Sequence, residues 1–440
     1  MRQFFLDDEQ VSIIPLPMRI FTLIWFGQLV STIGSYMTFF ALTLWAWEVT
    51  GSATALALSG FFFQLPGIPM NLVAGLIVDR FNRKRLMLLG DGISAIATIT
   101  IGLLYLTNAL QIWHFYLLAL MAGGFSQIQL LAYKASMSLI VPKQQYTRAN
   151  SMGAIVHYGS NIVGPALAGV LYPLISLSGI VVIDLATFGI AFLTLLVAPI
   201  PQPQPQETTQ KETWSNKLTF GFRQIWQQPS LRALVLVTVL FTFAHDMGGA
   251  VLSPMILART NGSAQALASV SAAAGIGGVA GALVTSVWGG PKRRIHGMLA
   301  GYIGAGLSKT VFGLGQSLRI WVPAQVCSSL NFPLLGSTRD ALWMGAIPSE
   351  QQGRVFAANS LAIKIVSAIA VLIAGPLADK VLSPVMMTDL AGVLKAGFGT
   401  GPSAGVALLY TLCALAIVML GISGFFIPDL RMIEDNTTPR

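Results

Sequence analysis

Windows of about 20 consecutive apolar residues, long enough to cross a hydrocarbon core, recur along nearly the whole of this 440-residue chain. They fall at 20–46, 54–78, 86–106, 112–140, 149–173, 178–197, 231–257, 264–288, 296–315, 320–346, 355–379 and 404–427. A bilayer core holds no water, so a crossing segment must satisfy its backbone hydrogen bonds as a helix or within a closed barrel. These runs are too long and too continuously apolar for barrel strands. The expectation is therefore an all-α integral membrane protein of 12 transmembrane helices. Only 10% of the residues are charged, where a soluble chain needs roughly 25%.

A net charge of +9 raises the question of a nucleic-acid partner, but the basic residues collect in alternate loops, as the positive-inside rule requires. With both termini on one side, that side holds eighteen Lys and Arg, among them Arg2, Arg80, Arg83, Lys84, Arg85, Arg148, Lys292, Arg293, Arg294 and Arg440. The other side holds four: Arg259, Arg319, Lys380 and Lys395. Both termini are expected in the cytoplasm, in a multi-pass protein of the plasma (inner) membrane. Its partners are the lipid bilayer and a small-molecule substrate, with no nucleic acid, and the chain is expected to be a monomer. Residues 1–18 show no cleavable signal. Cys327 and Cys413 lie apart in apolar stretches and the four histidines are scattered, so neither a disulfide framework nor a metal site is expected.

One stretch interrupts the apolar runs. Residues 199–214 (PIPQPQPQETTQKETW) are rich in Pro and Gln and read as a linker. After it, Leu218, Phe222, Ile225 and Trp226 fall at helical spacing over 217–228, as in a helix lying in the interface. The chain thus divides into a six-helix bundle over 1–198, a linker with its amphipathic helix over 199–230, and a second bundle over 231–440.

The two bundles repeat one another. Gly51-Ser-Ala-Thr-Ala-Leu-Ala57 returns as Gly262-Ser-Ala-Gln-Ala-Leu-Ala268. Arg83-Lys84-Arg85 returns as Lys292-Arg293-Arg294, Ala149-Asn150-Ser151 as Ala358-Asn359-Ser360, and Gly164-Pro165 as Gly375-Pro376. A duplicated six-helix unit is a transporter architecture, with the substrate near the midplane between halves that rock.

Gly75-Leu-Ile-Val-Asp79-Arg80-Phe-Asn82-Arg83-Lys84-Arg85 joins the second and third spans. It resembles the loop signature G-x-x-x-D-R-x-G-R-[RK] of the major facilitator superfamily, with Asn82 at the second glycine, where a left-handed backbone is expected. The resemblance implies the major facilitator fold, two pseudo-symmetric six-helix bundles, and a gate motif of Gly75, Asp79, Arg80, Arg83 and Lys84. Asp79 could pair locally or meet another helix's positive N-terminus. Trp288 stands where the second half would repeat Asp79. Gly27-Gln28, Thr50-Gly-Ser-Ala-Thr-Ala, Val141-Pro142-Lys143, Val182-Ile183-Asp184 and Gly375-Pro376-Leu377-Ala378-Asp379 are similar to the macrolide-efflux branch of drug:proton antiporters. The antiporter motif of the fifth span is partial: Gly164, Pro165 and Gly169 are present, with Ala168 where a glycine is usual. The fourth span lacks the arginine-bearing motif of many proton-coupled pumps.

Gly275-Ile-Gly277-Gly278-Val-Ala-Gly281 has a dinucleotide-loop spacing but sits inside an apolar helix, where small residues serve helix packing. No phosphate-binding G-x-x-x-x-G-K-[ST] loop occurs, so ATP does not drive this chain directly.

Ionisable residues at membrane depth mark pathways. Here they are Lys134, Asp184, Asp246, Lys309, Arg339, Asp340 and Lys364, with Asp91 and Glu48 nearer helix ends. The resemblance implies a cavity lined by spans 1, 4, 7 and 10. Lys134 and Arg339 are repeat-related on spans 4 and 10. They either face the cavity, pair with Asp246 or Asp340, or snorkel to the interface. Asp246, beside His245, either exchanges a proton or forms a permanent pair with a lysine such as Lys364. Asp184 and Asp340 are further coupling candidates, with a structural hydrogen bond the plainer role for Asp184, and Lys309 is expected to snorkel outward. Gln28, Tyr36, Gln127, Tyr133 and Trp343 complete the cavity candidates.

The expected activity is secondary transport without a cofactor, possible proton gradient apart: export of an amphipathic, drug- or macrolide-like molecule by alternating access. A lipid or lysolipid flippase of the same fold, or an exporter of a siderophore-like metabolite, is the alternative. An enzyme is not expected, since no nucleophile–base or metal constellation stands out.

Overall fold

The computed structural model describes residues 18–142, 145–200, 214–388, 392–399 and 401–435, and most of the expected linker lies outside them. The described residues are almost all helical. The first bundle contains α1 (Met18–Thr50), α2 (Ala53–Gln64, then Gly67–Arg80), α3 (Arg83–Leu106) and α4 (Ile112–Ile140). Tyr146–Ala154 then runs through a π turn, Ile155–Gly159, into Ser160–Val197. That helix bends at Ser176 (φ 57°, ψ −172°); α5 precedes the bend and α6 follows it. The second bundle contains α7 (Pro229–Arg259), α8 (Ala264–Trp288), α9 (Arg294–Leu314) and α10 (Leu318–Ala346). It closes with α11 (Ser349–Pro376, prolonged by the π turn Leu377–Leu382) and α12 (Pro402–Gly424).

Nine described helices are long and apolar enough to cross a membrane by length and composition. The bent Ser160–Val197 helix supplies two crossings. With α9 and α10, which carry Lys309 and the Arg339–Asp340 pair, the total is twelve.

The repeated sequence has a local cause. Gly51 (φ 56°) and Gly262 (φ 79°) both end a long helix in the left-handed conformation that glycine adopts without strain. The serine after each is the N-cap of the next helix: Ser52 Oγ accepts from Ala55 N at 3.3 Å and Ser263 Oγ from Ala266 N at 3.2 Å. The expected left-handed backbone at Asn82 is not found. Asn82 is extended (φ −60°, ψ 117°) and its side chain accepts from Arg85 N, capping α3. Asn at this position serves as a cap, which glycine cannot do with a side chain. Within α2 the helix is interrupted at Leu65-Pro66, where proline offers no N–H.

Within each half the helices meet at small residues. In α8 a Cβ on Gly277 would lie 2.4 Å from Val326 O, and one on Gly281 2.2 Å from Leu330 O. The Gly-rich run therefore lets α8 lie backbone to backbone on α10, as expected of small-xxx-small packing. The amphipathic helix is Trp214–Gln227. Gly221 packs on Arg354 O and Ala358 of α11, and Ile225 is buried, while Phe222 and Trp226 stay exposed.

The halves touch chiefly along two seams, α2 against α11 and α5 against α8, and α2 also meets α7. On the first, Gly375 lies against Thr54 and Ala57, Gly60 against Val371, and Gly67 against Lys364. On the second, Gly169 lies against Ala268 and Gly275 against Ile162. These contacts run from the end away from the basic loops to the middle of the bundle, so that end is closed.

Gly281→Leu should lower the melting temperature of the purified protein, because overpacking this crossing costs about 1–3 kcal/mol. Gly278→Leu should be near neutral, since a Cβ there meets nothing within 4 Å. Parallel melts of both variants, followed by size exclusion, check the pair; equal losses would remove the packing argument.

Candidate functional site

Two buried polar clusters and one half-buried one knot the bundle, each centred on a carboxylate. In the first half, Asp91 on α3 is only 3% exposed. It accepts from Gln129 Nε2 of α4 and, at 3.4 Å, from Gln28 Nε2 of α1. Asp184 on α6, 1% exposed, accepts from Thr38 of α1 at 2.7 Å and from Thr98 of α3 at 3.2 Å. Hydrogen-bonded carboxyls of this kind tie helices together in a medium where an unmet polar group is costly.

The third cluster lies in the second half and reaches out of it. His245 Nδ1 is 2.9 Å from Asp246 Oδ1 on α7. The other carboxylate oxygen of Asp246 meets the Ser367 hydroxyl of α11, and Ser367 Oγ also lies 2.6 Å from Gln64 Oε1 of α2, in the other half. A hydroxyl has one proton to give. Ser367 can serve both acceptors only if Asp246 itself carries a proton and donates it to Ser367 Oγ, or if the Gln64 amide turns its NH₂ inward. In the first arrangement the protonation of Asp246 is tied to a hydrogen bond that joins the halves.

Lys309 of α9 does not snorkel outward: it is 7% exposed. Its ammonium stands 5.9 Å from the Phe332 ring and 5.5 Å from the Tyr410 ring, whose faces attract a cation. The His245 ring stands edge-on to the same Phe332 at 5.0 Å. Asp246 is bonded to His245 and Ser367, whereas Lys364 lies against Gly67 of α2.

The remaining candidates are dispersed. Arg339 pairs with its neighbour Asp340 at 3.0 Å, and the Asp340 side chain is 58% exposed. Lys134 is exposed, and Tyr36, Gln127 and Tyr133 are half-buried. Trp343 is not a cavity wall: at 3% exposure it packs perpendicular to Phe356 in the core of the second half, as a large aromatic on an inward helix face does. Of the fifth-span motif, Gly164 fits against Tyr36 and Ile33 of α1, Pro165 is buried, and Gly169 fits against α8.

In the gate motif, the basic residues hold the first bundle together. Arg83 donates to Ala135 O of α4 at 2.6 Å, and Lys84 donates to Leu196 O and Ala198 O at 2.8 Å, capping the C-terminus of α6. Arg80 is exposed. The side chains of Gly75 and Asp79 lie outside the described residues.

Sequence reasoning missed Ser367 and Gln64, because a serine and a glutamine in apolar spans carry no pattern until the helices are placed side by side. It also gave Gln129 no role.

The sequence profile of the Major Facilitator Superfamily matches residues 24–371. Macrolide efflux protein A of Streptococcus pyogenes is 26% identical over 363 residues, which is 82% of this chain and 90% of that protein. The enterobactin exporter EntS of Escherichia coli O1:K1 / APEC is 27% identical over 350 residues, 78% of this chain and 80% of that one. A bacterial homologue of the human lysosomal transporter Spinster, solved inward-facing and unoccupied, superposes with a TM-score of 0.71 at 13% identity, covering 96% of this chain and 99% of that one. With its duplicated six-helix halves and a profile match across most of its length, the chain belongs to the Major Facilitator Superfamily and is a multi-pass membrane transporter.

Proposed function

We propose that this transporter exports an amphipathic small molecule by alternating access, driven by protons exchanged at Asp246. The observation that carries the reading is the chain Asp246–Ser367–Gln64, which links a titratable group in one half to α2 of the other. A neutral Asp246 lets Ser367 donate to Gln64 and favours the seam closed; a charged one claims the Ser367 proton and loosens it. Such differential stabilisation of two states is what coupling requires. The direction of transport rests on relatives named as exporters of macrolides and of enterobactin, so a siderophore-like cargo belongs in the same panel as drugs.

The reading places the basic loops and both termini in the cytoplasm, by the loop asymmetry, in the plasma (inner) membrane. The end closed in this structure is then the outer one. The chain works as a monomer of two halves, 1–198 and 231–440, joined over 199–230, with no cofactor beyond the ion gradient. A lipid flippase draws support from one feature, an apolar cavity of about 460 Å³ where α2 breaks against α4, lined by Leu65, Pro66, Ile68, Leu120 and Phe125. Lipid scrambling by proteoliposomes, set beside drug efflux, separates the two readings.

Accumulation of a labelled compound panel in pump-deficient cells, with and without a protonophore, tests export itself. Expression should lower accumulation of at least one amphipathic compound, and the protonophore should restore it. Equal accumulation across the panel would end the reading.

Asp246→Asn, which mimics the neutral acid, should bind substrate and exchange it down a gradient yet fail to concentrate it. Counterflow and uphill transport in proteoliposomes are the paired measurements, and uphill pumping at the wild-type rate would exclude Asp246 as the coupling site. Asp79→Asn should differ in kind. A charge at a helix end contributes about 0.3–1 kcal/mol, enough to shift a two-state gate several-fold. Turnover should slow while KM stays nearly constant; a raised KM at unchanged turnover would assign Asp79 to binding instead.

A further inference from the structure

The two seams between the halves are built from repeat-related segments but with different chemistry. On the α2/α11 seam, one carboxylate gathers the start of α2. Asp379 Oδ2 accepts from Ser52 Oγ at 2.7 Å, Thr54 N at 2.8 Å and Thr54 Oγ1 at 2.7 Å, and Oδ1 accepts from Ala53 N at 3.3 Å. The first N–H groups of a helix have no partner within it, and they carry the positive end of its dipole. Asp379 therefore completes the N-terminus of a helix in the opposite half, 325 residues earlier in the chain. It also orients Ser52, whose oxygen caps Ala55 N while its proton goes to Asp379.

The repeat predicts the same device on the α5/α8 seam, and it is absent there. Aligning Gly164-Pro165 with Gly375-Pro376 sets Ala168 opposite Asp379. Ser263 caps α8, but the facing positions on α5 are Ala168, fully buried, and Gly169, whose Cβ would lie 2.3 Å from Ala268 Cβ and 3.2 Å from Ala264 O. One seam is polar and anionic at its outer end; the other is apolar and close-packed.

These two surfaces part at different cost. Asp379 is half-buried, so as its seam opens water can replace each hydrogen bond, and the net loss is small. The α5/α8 seam loses dispersion contacts for which water offers no equivalent. We propose that Asp379 is the latch of the gate at the end away from the basic loops. That gate opens along α2/α11 by releasing Asp379 from the N-terminus of α2, while α5/α8 stays in contact as the hinge. The proposal rests on alternating access but not on the cargo, its direction or the driving ion.

Cysteine accessibility tests it without substrate or gradient. In full-length protein carrying Cys327→Ser and Cys413→Ser, reconstituted in liposomes, Ala57→Cys reports the latch seam, since Ala57 is 2% exposed and packs against Gly375. Ala268→Cys reports the hinge seam. A membrane-impermeant maleimide is applied from the side away from the basic loops. Asp379→Asn keeps the volume but sets an NH₂ among the donors, and should raise labelling at Ala57→Cys about tenfold by shifting the two-state population. Labelling at Ala268→Cys should stay within about twofold. Thr54→Val, which removes one donor and leaves the carboxylate, should give a smaller rise at Ala57→Cys alone. Unchanged labelling in both variants would overturn the latch, and an equal rise at both cysteines, the mark of a loosened fold, would overturn the division into latch and hinge.

Discussion

A backbone in hydrocarbon has no water to bond, so each crossing must close its own hydrogen bonds before anything else can form. Much of the polar content of this chain obeys the same rule locally. Thr32, Thr43, Thr50, Thr100 and Thr238 each return their hydroxyl to the carbonyl four residues back, which hides the group without joining helices. Other side chains reach across, and those that meet at carboxylates stand out: Gln28 and Gln129 to Asp91, Thr38 and Thr98 to Asp184, Ser367 to Asp246, and the start of α2 to Asp379. Elsewhere the helices meet where a glycine removes the Cβ. A bundle held by close packing and a few carboxylates can slide at some contacts and not at others.

The carboxylates divide by what they join. Asp91 and Asp184 bond only helices of the first half, with α1, α3, α4 and α6 gathered around them, and they stiffen that half as a body. Lys84 and Arg83 serve the same end at the basic loops by holding α4 and α6. Asp246, through Ser367, and Asp379 directly bond α2 from the second half. Among the described residues, these carboxylate links between the halves lie on the α2/α11 seam, where water can replace them as the seam parts.

Much of this architecture was legible in the sequence, because its causes are local. Apolar run length set the spans to within a few residues, and the bend at Ser176 falls in the gap between 173 and 178. The repeat Gly-Ser-Ala marked two helix starts. Side-chain direction was not legible, since it depends on how helices rotate against their neighbours. Lys309 has no sequence feature that turns it inward; the rings of Phe332 and Tyr410 do so. Trp343 has the composition of a cavity residue and the environment of a core residue. Asn82 fits a turn by propensity, yet its backbone stays extended and its side chain takes the capping role. Asp379 stood in a quoted motif, but its meaning needed the comparison with Ala168 and the position of α2.

The α2/α11 seam has one further property. Gly60 faces Val371, the Gln64 amide meets Ser367, and Gly67 faces Lys364, so one helix advances as the other retreats, in antiparallel register. Continued to the basic end, this register brings Asp79, next to last in α2, to the level of Gln352 in the first turn of α11. Each helix of the seam therefore carries a carboxyl residue near its C-terminal end, Asp379 in α11 and Asp79 in α2, and Asp379 bonds the start of α2. A helix start favours an anion whichever end of the bundle it occupies. If the halves rock about the midplane, the contact at one end forms as the contact at the other breaks, and the two terms offset. The second half does not reproduce this, because Trp288 replaces Asp79 and Ala168 replaces Asp379 in the repeat. Of the two repeat-related seams, only α2/α11 carries both carboxyl positions, so it is the one on which charge can favour either end.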